Sequence, residues 1–437
     1  MKRSFSALWG LCMLCLLSPG FISAQANNEV QAQGVWQKLY AQRLESSASY
    51  KEAVLALKSA QLALDQLAKP YVPVLSISSG SGGVLSYGSQ GFGGGTLVSS
   101  LGLENLLGGE LALRTSIALS PAGNVTVGDP SLSYSRKLFT ESDAQLLDAQ
   151  AALLNAQASL SNAAITVQIN LAKEILDARY YSRLKEINQR NLEVLKRVKA
   201  ATVDTTALRE LERRILQAQK SLLSAQSALA AVSGEILAQA DPLYIEIVAS
   251  QALWLANLQE KEPLSSLSIQ ALEQSLAAAQ KRKEYAFLPF VPNPSLSASV
   301  SYDVNKKSLG WGFSLSFSYD VFNKGKNSLD AAKREAYPEI YGIKLADARE
   351  SFTDGLKSIE NSLQSLELDR KIQALDVEEA QEAAAKAEAL FKGGFSSEES
   401  LVMAQIDLSV ELLASDKIEN DIISQSLGLI RYFGAGQ

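Results

Sequence analysis

Histidine is absent from all 437 residues, and the only two cysteines, Cys12 and Cys15, lie at the very start of the chain. The first absence removes Ser–His and Cys–His nucleophile pairs, imidazole zinc ligands and the one side chain that ordinarily titrates near neutral pH. Aromatic residues make up only 7%, and 41 Lys and Arg stand against 47 Asp and Glu, a formal charge of −6. Such a chain lacks the basic face that displaces counterions from nucleic-acid phosphates. The run Gly91-Phe-Gly-Gly-Gly95 lacks the Gly-Lys-Ser/Thr of a phosphate loop. With no constellation of nucleophile, base and orienting group, the chain reads as a non-enzyme without catalytic residues, cofactor or metal. Past the N-terminus no segment offers the roughly 20 apolar residues of a membrane helix. Any bilayer span must therefore be built from strands.

What is present begins with an address. Lys2 and Arg3 form a basic start, Phe5 to Leu17 an apolar core, and Ala24-Gln25-Ala26 a small-x-small cleavage site, with Ile22-Ser23-Ala24 a near alternative. The apolar run is too short for an anchor. Leu11 and Leu14, rather than small residues, precede the two cysteines, which argues against a lipoprotein. Residues 1–26 are expected to be a signal peptide, and the exported chain then has no cysteine although disulfides would be permitted there.

The chain is written twice. Pro70-Tyr71-Val72-Pro73 recurs as Pro289-Phe290-Val291-Pro292, each preceded by an alanine-rich helical run and followed by serine-rich alternation. Leu132-Ser-Tyr-Ser135 is echoed by Leu315-Ser-Phe-Ser318, with Phe139 and Phe322 a few residues on. The expected domains are a first repeat over 27–239, with strands at about 74–139 and a helical hairpin over 141–239. A connector follows over 240–262, where Asp241-Pro242 and Glu262-Pro263 act as breakers. The second repeat covers 263–437, with strands over 295–321 and a helical hairpin over 324–432.

In Ser295 to Asp303, Leu296, Ala298, Val300 and Tyr302 alternate with serines, and in Gly312 to Val321, Phe313, Leu315, Phe317, Tyr319 and Val321 do the same. Nine or ten residues suit a tilted membrane strand. In the first repeat, Val74 to Tyr87 and Val125 to Phe139 are the expected strands. The glycine-rich insertion Gly88 to Gly123 between them reads as an extended outer loop or an extra hairpin. A soluble sandwich with one wet face gives the same alternation, but its polar face would carry charge where this one carries serine. Four strands cannot close a barrel alone, and an open edge cannot exist in lipid. Membrane strands would thus require several chains to share one barrel. Tyr87, Tyr134, Tyr302, Trp311 and Tyr319 are candidates for an aromatic belt, whereas Trp36 and Trp254 read as packing residues.

Leu208, Leu211, Ile215, Ala218, Leu222, Ala225, Leu229 and Val232 form a heptad seam, and Ala144, Leu147, Ala151, Leu154, Ala158, Ser161 and Ile165 keep the same rhythm. From Glu141 to about Lys199 there is no proline or glycine, so a helix of roughly 90 Å is expected. A matching helix is expected over Asn327 to Phe391, with a kink at Pro338.

Helix, Pro-x-x-Pro, two amphipathic strands and a long helical hairpin, duplicated behind a signal peptide, resembles the TolC-like outer membrane efflux protein family. The match is strongest at Ser268 to Gln280 running into Phe287-Leu-Pro-Phe-Val-Pro292, and at Phe391-x-x-Gly394-x-x-Ser397 followed by Ser400-Leu401-x-x-Ala404-Gln405. The resemblance implies a mixed α and β membrane protein: a homotrimer with four strands per chain in a twelve-stranded β-barrel, continued by an α-helical tunnel across the periplasm. It also implies an outer-membrane exit duct of a tripartite efflux or type I secretion system, docked to a periplasmic adaptor and an inner-membrane transporter. In that family the adaptor engages the hairpin tips, which points to Val198, Ala201, Asp204 and Leu208, and to Phe391, Gly394, Ser397 and Leu401. Family members often carry gating aspartates just after the second tip, where this chain has Ser400 and Met403. Those two, with Asp204, Glu398 and Glu399 as the nearest acids, are the candidate gate. Capping offers a plainer account of the acids, Ser396-x-x-Glu399 as a capping box and Asp204 as an N-cap. A non-transporting periplasmic coiled-coil envelope protein is the rival reading of the whole chain.

Overall fold

The computed structural model describes residues 34–69, 71–79, 86–88, 91–120, 124–202, 205–258, 266–304, 306–317 and 324–433. The expected signal segment, Pro70, Asp204, Glu262-Pro263 and the stretch Tyr319 to Phe322 lie outside the described residues. The elements run α1 (Val35–Ser46), α2 (Ala48–Ala68), β1 (Pro73–Ser79), β2 (Ser86–Gly88), β3 (Gly91–Leu106), β4 (Gly109–Leu119), β5 (Val125–Val127), β6 (Ser131–Lys137), α3 (Ser142–Ala201) and α4 (Thr205–Ala230). They continue with α5 (Gly234–Ala238), α6 (Ala240–Leu258), α7 (Leu267–Lys283), a 3-10 turn (Leu288–Phe290), β7 (Ser295–Asp303), β8 (Ser308–Ser316), α8 (Lys326–Lys392), α9 (Glu398–Gly428) and α10 (Ile430–Phe433). Two compact units result, one drawn from Met1–Tyr50, Ala164–Leu264 and Leu356–Gln437, the other from Lys51–Ala163 and Ser265–Gly355. Each unit takes segments from both sequence repeats.

The second unit holds an eight-stranded antiparallel sheet. Its path is β1-β3-β4-β6-β7-β8, with β2 beside β3 and β5 beside β4. The expected count of four strands is corrected here to six along the path, because the glycine-rich insertion folds as the β3–β4 hairpin inside the sheet. Its leucines alternate well enough to outweigh the weak strand propensity of glycine. Leu106 pairs with Gly109 across Leu107 (φ 53°) and Gly108 (φ 74°). Two successive positive φ values define the tight type I′ turn that matches strand twist. The last strand starts earlier than expected, at Ser308 where Gly312 was read, and its described part ends at Ser316, with residues 318–321 outside the described set. Its alternation survives the shift, since the apolar residues of both ranges fall on odd numbers, Phe313 and Leu315 being common to the two.

Long uninterrupted helices form as the composition demands. α3 spans 60 residues and α8 spans 67, the latter passing through Pro338 as one element. Pro242, expected to break the chain, instead lies in the first turn of α6. There a missing N–H costs nothing, because the first four amides of a helix have no intrahelical acceptor. The α4 seam is buried at Leu211, Ile215, Ala218 and Ala225 while residues between them face outward.

In the first unit the larger core gathers Leu39 of α1, Ile169, Ala172, Ile175 and Leu176 of α3, Leu243 and Ile247 of α6, and Ile423 and Leu427 of α9. Trp36 packs against it and stacks on Tyr40 with ring centroids 6.4 Å apart, as a packing residue should. A smaller core joins Leu195 and Val198 of α3, Leu211 and Ile215 of α4, and Val402 and Ile406 of α9.

Candidate functional site

Residues directly opposed in an antiparallel ladder share a face of the sheet, so the register traces each face across all the strands. From β8 the apolar set Leu309, Trp311, Phe313 and Leu315 lies opposite Tyr302, Val300, Ala298 and Leu296 of β7. Val300 and Ala298 then oppose Leu132 and Tyr134 of β6, which oppose Leu113 and Leu111 of β4. Those leucines face Leu101 and Leu103 of β3, and Leu101 in turn faces Leu75 of β1. One apolar face thus crosses six strands without a break. Much of it is bare, with Trp311 82% exposed and Leu75, Ile77, Leu309, Phe313 and Leu315 exposed beside it. A contiguous apolar surface of this kind marks an interface with lipid or protein.

The opposite face is small and polar. Ser295, Ser297, Ser299 and Ser301 of β7 lie between Ser131, Ser133, Ser135 and Lys137 of β6 and Ser316, Ser314, Gly312 and Gly310 of β8. Glu110 and Arg114 of β4 extend this face and approach to 3.8 Å.

A bulge keeps the two faces separate. Ile117 opposes Val127 and Arg114 opposes Ser131, so two residues of β4 stand opposite Gly128, Asp129 and Pro130. The extra residue reverses the parity of β5 relative to β6. Val125 and Val127, which share odd numbering with the serines of β6, are thereby turned to the apolar face. β5 and β6 form one bent strand of the sheet.

The sheet is anchored where it meets the helices. Asn293 donates to the Phe139 carbonyl at 2.9 Å and accepts from the Phe139 amide at 3.2 Å, while the Phe139 and Phe287 rings meet edge to face at 5.5 Å. Arg282 pairs with Asp148 and Glu141, and Arg334 also binds Glu141, joining α7 and α8 to the start of α3. The strand turn below needs its glycine. A Cβ on Gly109 would come within 2.8 Å of the Tyr134 ring, whose hydroxyl donates to the Leu106 carbonyl at 3.2 Å. Tyr302 and Trp311 lie on the apolar face as a belt requires, and the side chains of Tyr87, Tyr319 and Trp254 are outside the described set.

In the first unit the two hairpin turns are built differently. α8 ends in a Schellman motif: Phe395 N–H donates to the Leu390 carbonyl at 2.9 Å, Gly394 N–H to Phe391 at 3.0 Å, and Gly394 has φ 73°. At the first turn Ala201 is still helical, and the Thr202 hydroxyl donates to the Val198 carbonyl at 2.9 Å. The helix cap before α9 is Ser397, whose Oγ accepts from Ser400 N–H at 3.3 Å. The expected capping box one residue earlier, at Ser396, is therefore corrected by one position.

The other tip residues separate by environment. Val198 is buried and Met403 packs beside it in the small core, Leu208 and Leu401 are half-buried, and Ala201, Phe391, Gly394 and Ser400 are exposed. Glu398 faces Arg197 at 3.5 Å, and Glu399 is half-buried in the first turn of α9. Further ion pairs tie α9 to the first hairpin: Arg214–Asp407 at 2.8 Å and Arg183–Asp416 at 2.8 Å. Phe395, which the sequence did not single out, is 84% exposed at the apex of the second turn. A single aromatic between glycines and serines carries no periodic signal.

Away from the tips, burial pushes the Asp177 carboxyl above its ordinary pKa, the nearby Asp421 adds to this, and Lys173 opposes it. The folded chain then holds that proton more tightly than the unfolded one. Stability falls as pH rises from the unfolded carboxylate value through the folded one, and below both values there is no effect. Asp177→Asn is therefore expected to raise the thermal midpoint near pH 7 and to leave it nearly unchanged near pH 3, as scanning calorimetry at the two pH values will read.

No family model and no curated protein matches the sequence. Solved structures do match the fold. The outer membrane protein VceC from Vibrio cholerae is 15% identical, with 92% of this chain and 96% of that chain covered at TM-score 0.60. The open state of the Neisseria gonorrhoeae MtrE outer membrane channel is 16% identical, covering 92% and 89% at TM-score 0.62. The Campylobacter jejuni CmeC outer membrane channel is 12% identical, covering 91% and 85% at TM-score 0.60. By fold the chain is thus similar to these outer membrane channels. It shares their combination of long helices and an antiparallel sheet, the coarse fold that the sequence resemblance implies.

Proposed function

We propose that the chain is an exit duct of the outer membrane, a passive conduit that reaches into the periplasm and acts with other proteins. The observation that carries this reading is the two-faced sheet. One face is apolar and bare, the other is serine and glycine, and among the described residues β1 and β8 have no partner on their outer edges. Lipid tolerates an apolar face but no open edge, so the wall is completed by further copies of the chain. The helices support the same conclusion. Leu216 and Leu223 on α4, and Leu368, Ile372 and Leu375 on α8, lie exposed at heptad spacings outside the internal seams. A homotrimer, as in the TolC-like family, gives those stripes their partners.

The tips are the proposed docking points for a periplasmic adaptor linked to an inner-membrane transporter, through the exposed parts of Ala201, Leu208, Phe391, Gly394, Ser397 and Leu401 and through Phe395. The Arg197–Glu398 pair and the polar first turn of α9 form the proposed entrance, with Glu399, Ser400 and Met403. Phe395→Ala is expected to change stability by under about 0.5 kcal/mol, as for other exposed positions, while export through the assembled system falls. Thermal unfolding and dye accumulation in cells measure the two effects, and unchanged export would remove Phe395 from the docking surface. The reading as a whole is tested by extraction from isolated outer membranes. Recovery as a detergent-solubilised oligomer, with hypersusceptibility of deletion cells to exported compounds, supports the duct. Recovery as a water-soluble protein overturns it.

A further inference from the structure

Resting on the duct reading, we infer that the β3–β4 hairpin is a structural part of the barrel wall. Each copy then supplies six strands, closes the ring by pairing β8 with β1 of the next copy, and in threes makes an eighteen-stranded barrel. The hairpin is laddered on both sides, to β1 over Pro73–Ser79 and to β6 over Gly109–Arg114, so it separates strands that would otherwise be neighbours. It pairs along the whole of β1 and along β6 from Ser131 to Arg136. Its turn at Leu107-Gly108 lies beside Arg136 and Thr140, where β6 passes toward α3, because a Cβ on Gly108 would meet those two side chains at 3.6 and 3.5 Å.

The hairpin also obeys the two-face rule of the wall. Leu97, Leu101, Leu111, Leu113 and Ile117 lie on the apolar face, interrupted by the Ser99–Thr115 pair, and Glu110 and Arg114 lie on the serine face. Ionisable side chains are tolerated at membrane depth only where they face water or each other. A cap of the extracellular mouth would have no reason to keep this register. Direction agrees as well: six antiparallel strands make β8 run opposite to β1, so head-to-tail closure stays antiparallel throughout. Barrel diameter grows roughly in proportion to strand number, so the lumen is about 1.5 times as wide as a twelve-stranded one.

The test uses thiol accessibility in the full-length protein, whose only cysteines precede the described residues. Single cysteines at Ser100 and Leu101 of β3, and at Ser116 and Ile117 of β4, are treated in membranes with a water-soluble, membrane-impermeant thiol reagent. Ser299→Cys and Val300→Cys of β7 serve as the reference pair. Ser100→Cys and Ser116→Cys should react on the order of tenfold faster than their neighbours, matching the reference, as lumen and lipid positions alternate along a wall strand. Alternation in β7 without alternation in β3 and β4 overturns the inference and leaves the duct standing. Loss of alternation in β7 overturns both. Should a variant fail to assemble, the strand count of the unmodified oligomer by electron microscopy decides: six per copy supports the inference and four overturns it.

Discussion

Phe313→Arg is expected to remove the chain from the membrane fraction, while Ser314→Arg, one residue along the same strand, leaves it there. Phe313 lies mid-strand on β8, in the apolar set that opposes Ala298 and continues through Tyr134 to the hairpin. An arginine at the lipid-facing midplane of a barrel strand costs about 2–4 kcal/mol, and every copy in the ring would bear it. Ser314 opposes Ser297, and the two hydroxyls hydrogen-bond at 2.6 Å. An arginine there loses one weak contact and faces water. Membrane fractionation with quantitative blotting reads the pair. Equal retention of both variants would mean that the sheet does not lie in lipid.

Leu211→Ala is expected to cost about 2–5 kcal/mol, the usual range for a fully buried leucine truncated to alanine. Leu211 is 0% exposed, in the small core that joins α3, α4 and α9 through Leu195, Val198, Ile215, Val402 and Ile406. Three helices meet there, so the cavity opens in the contact that holds the two hairpins together, beside the Arg214–Asp407 pair. Calorimetry of the purified protein should show the lowered midpoint, and hydrogen exchange should show faster opening of α4 and the start of α9 than of the larger core. A destabilisation smaller than about 1 kcal/mol would indicate that the site collapses to fill the space.

The helical part was legible because its signals are local and repeated. The heptad read from Leu208 to Val232 is buried at Leu211, Ile215, Ala218 and Ala225 and half-buried at its other positions, and in α3 the alanines of the seam are buried, Leu147 and Leu154 half-buried and Ser161 exposed. β7 was read to the residue, since strict alternation over Ser295–Asp303 admits one register. What failed depended on partners far away in the chain. The glycines left the insertion open between an outer loop and an extra hairpin, and only pairing with β1 and β6 makes that stretch a stable pair of strands. β8 was misplaced because Gly310 and Gly312 interrupt the serines without interrupting the parity. The bulge at Gly128 to Pro130 has no sequence signature beyond Gly and Pro, yet it decides which way two valines point. At the tips, the positive φ of Gly394 was foreshadowed by the glycine itself, while Phe395 gave no warning.

The most direct test is electrical. Purified oligomer added to a planar lipid bilayer is expected to produce discrete, stepwise conductance increments, each one reporting a single water-filled passage through the assembled wall. Phe313→Arg, prepared in the same way, should insert far less often than Ser314→Arg. A protein that leaves the bilayer silent at every voltage, or that inserts with equal frequency in both variants, would contradict a duct whose wall is the two-faced sheet.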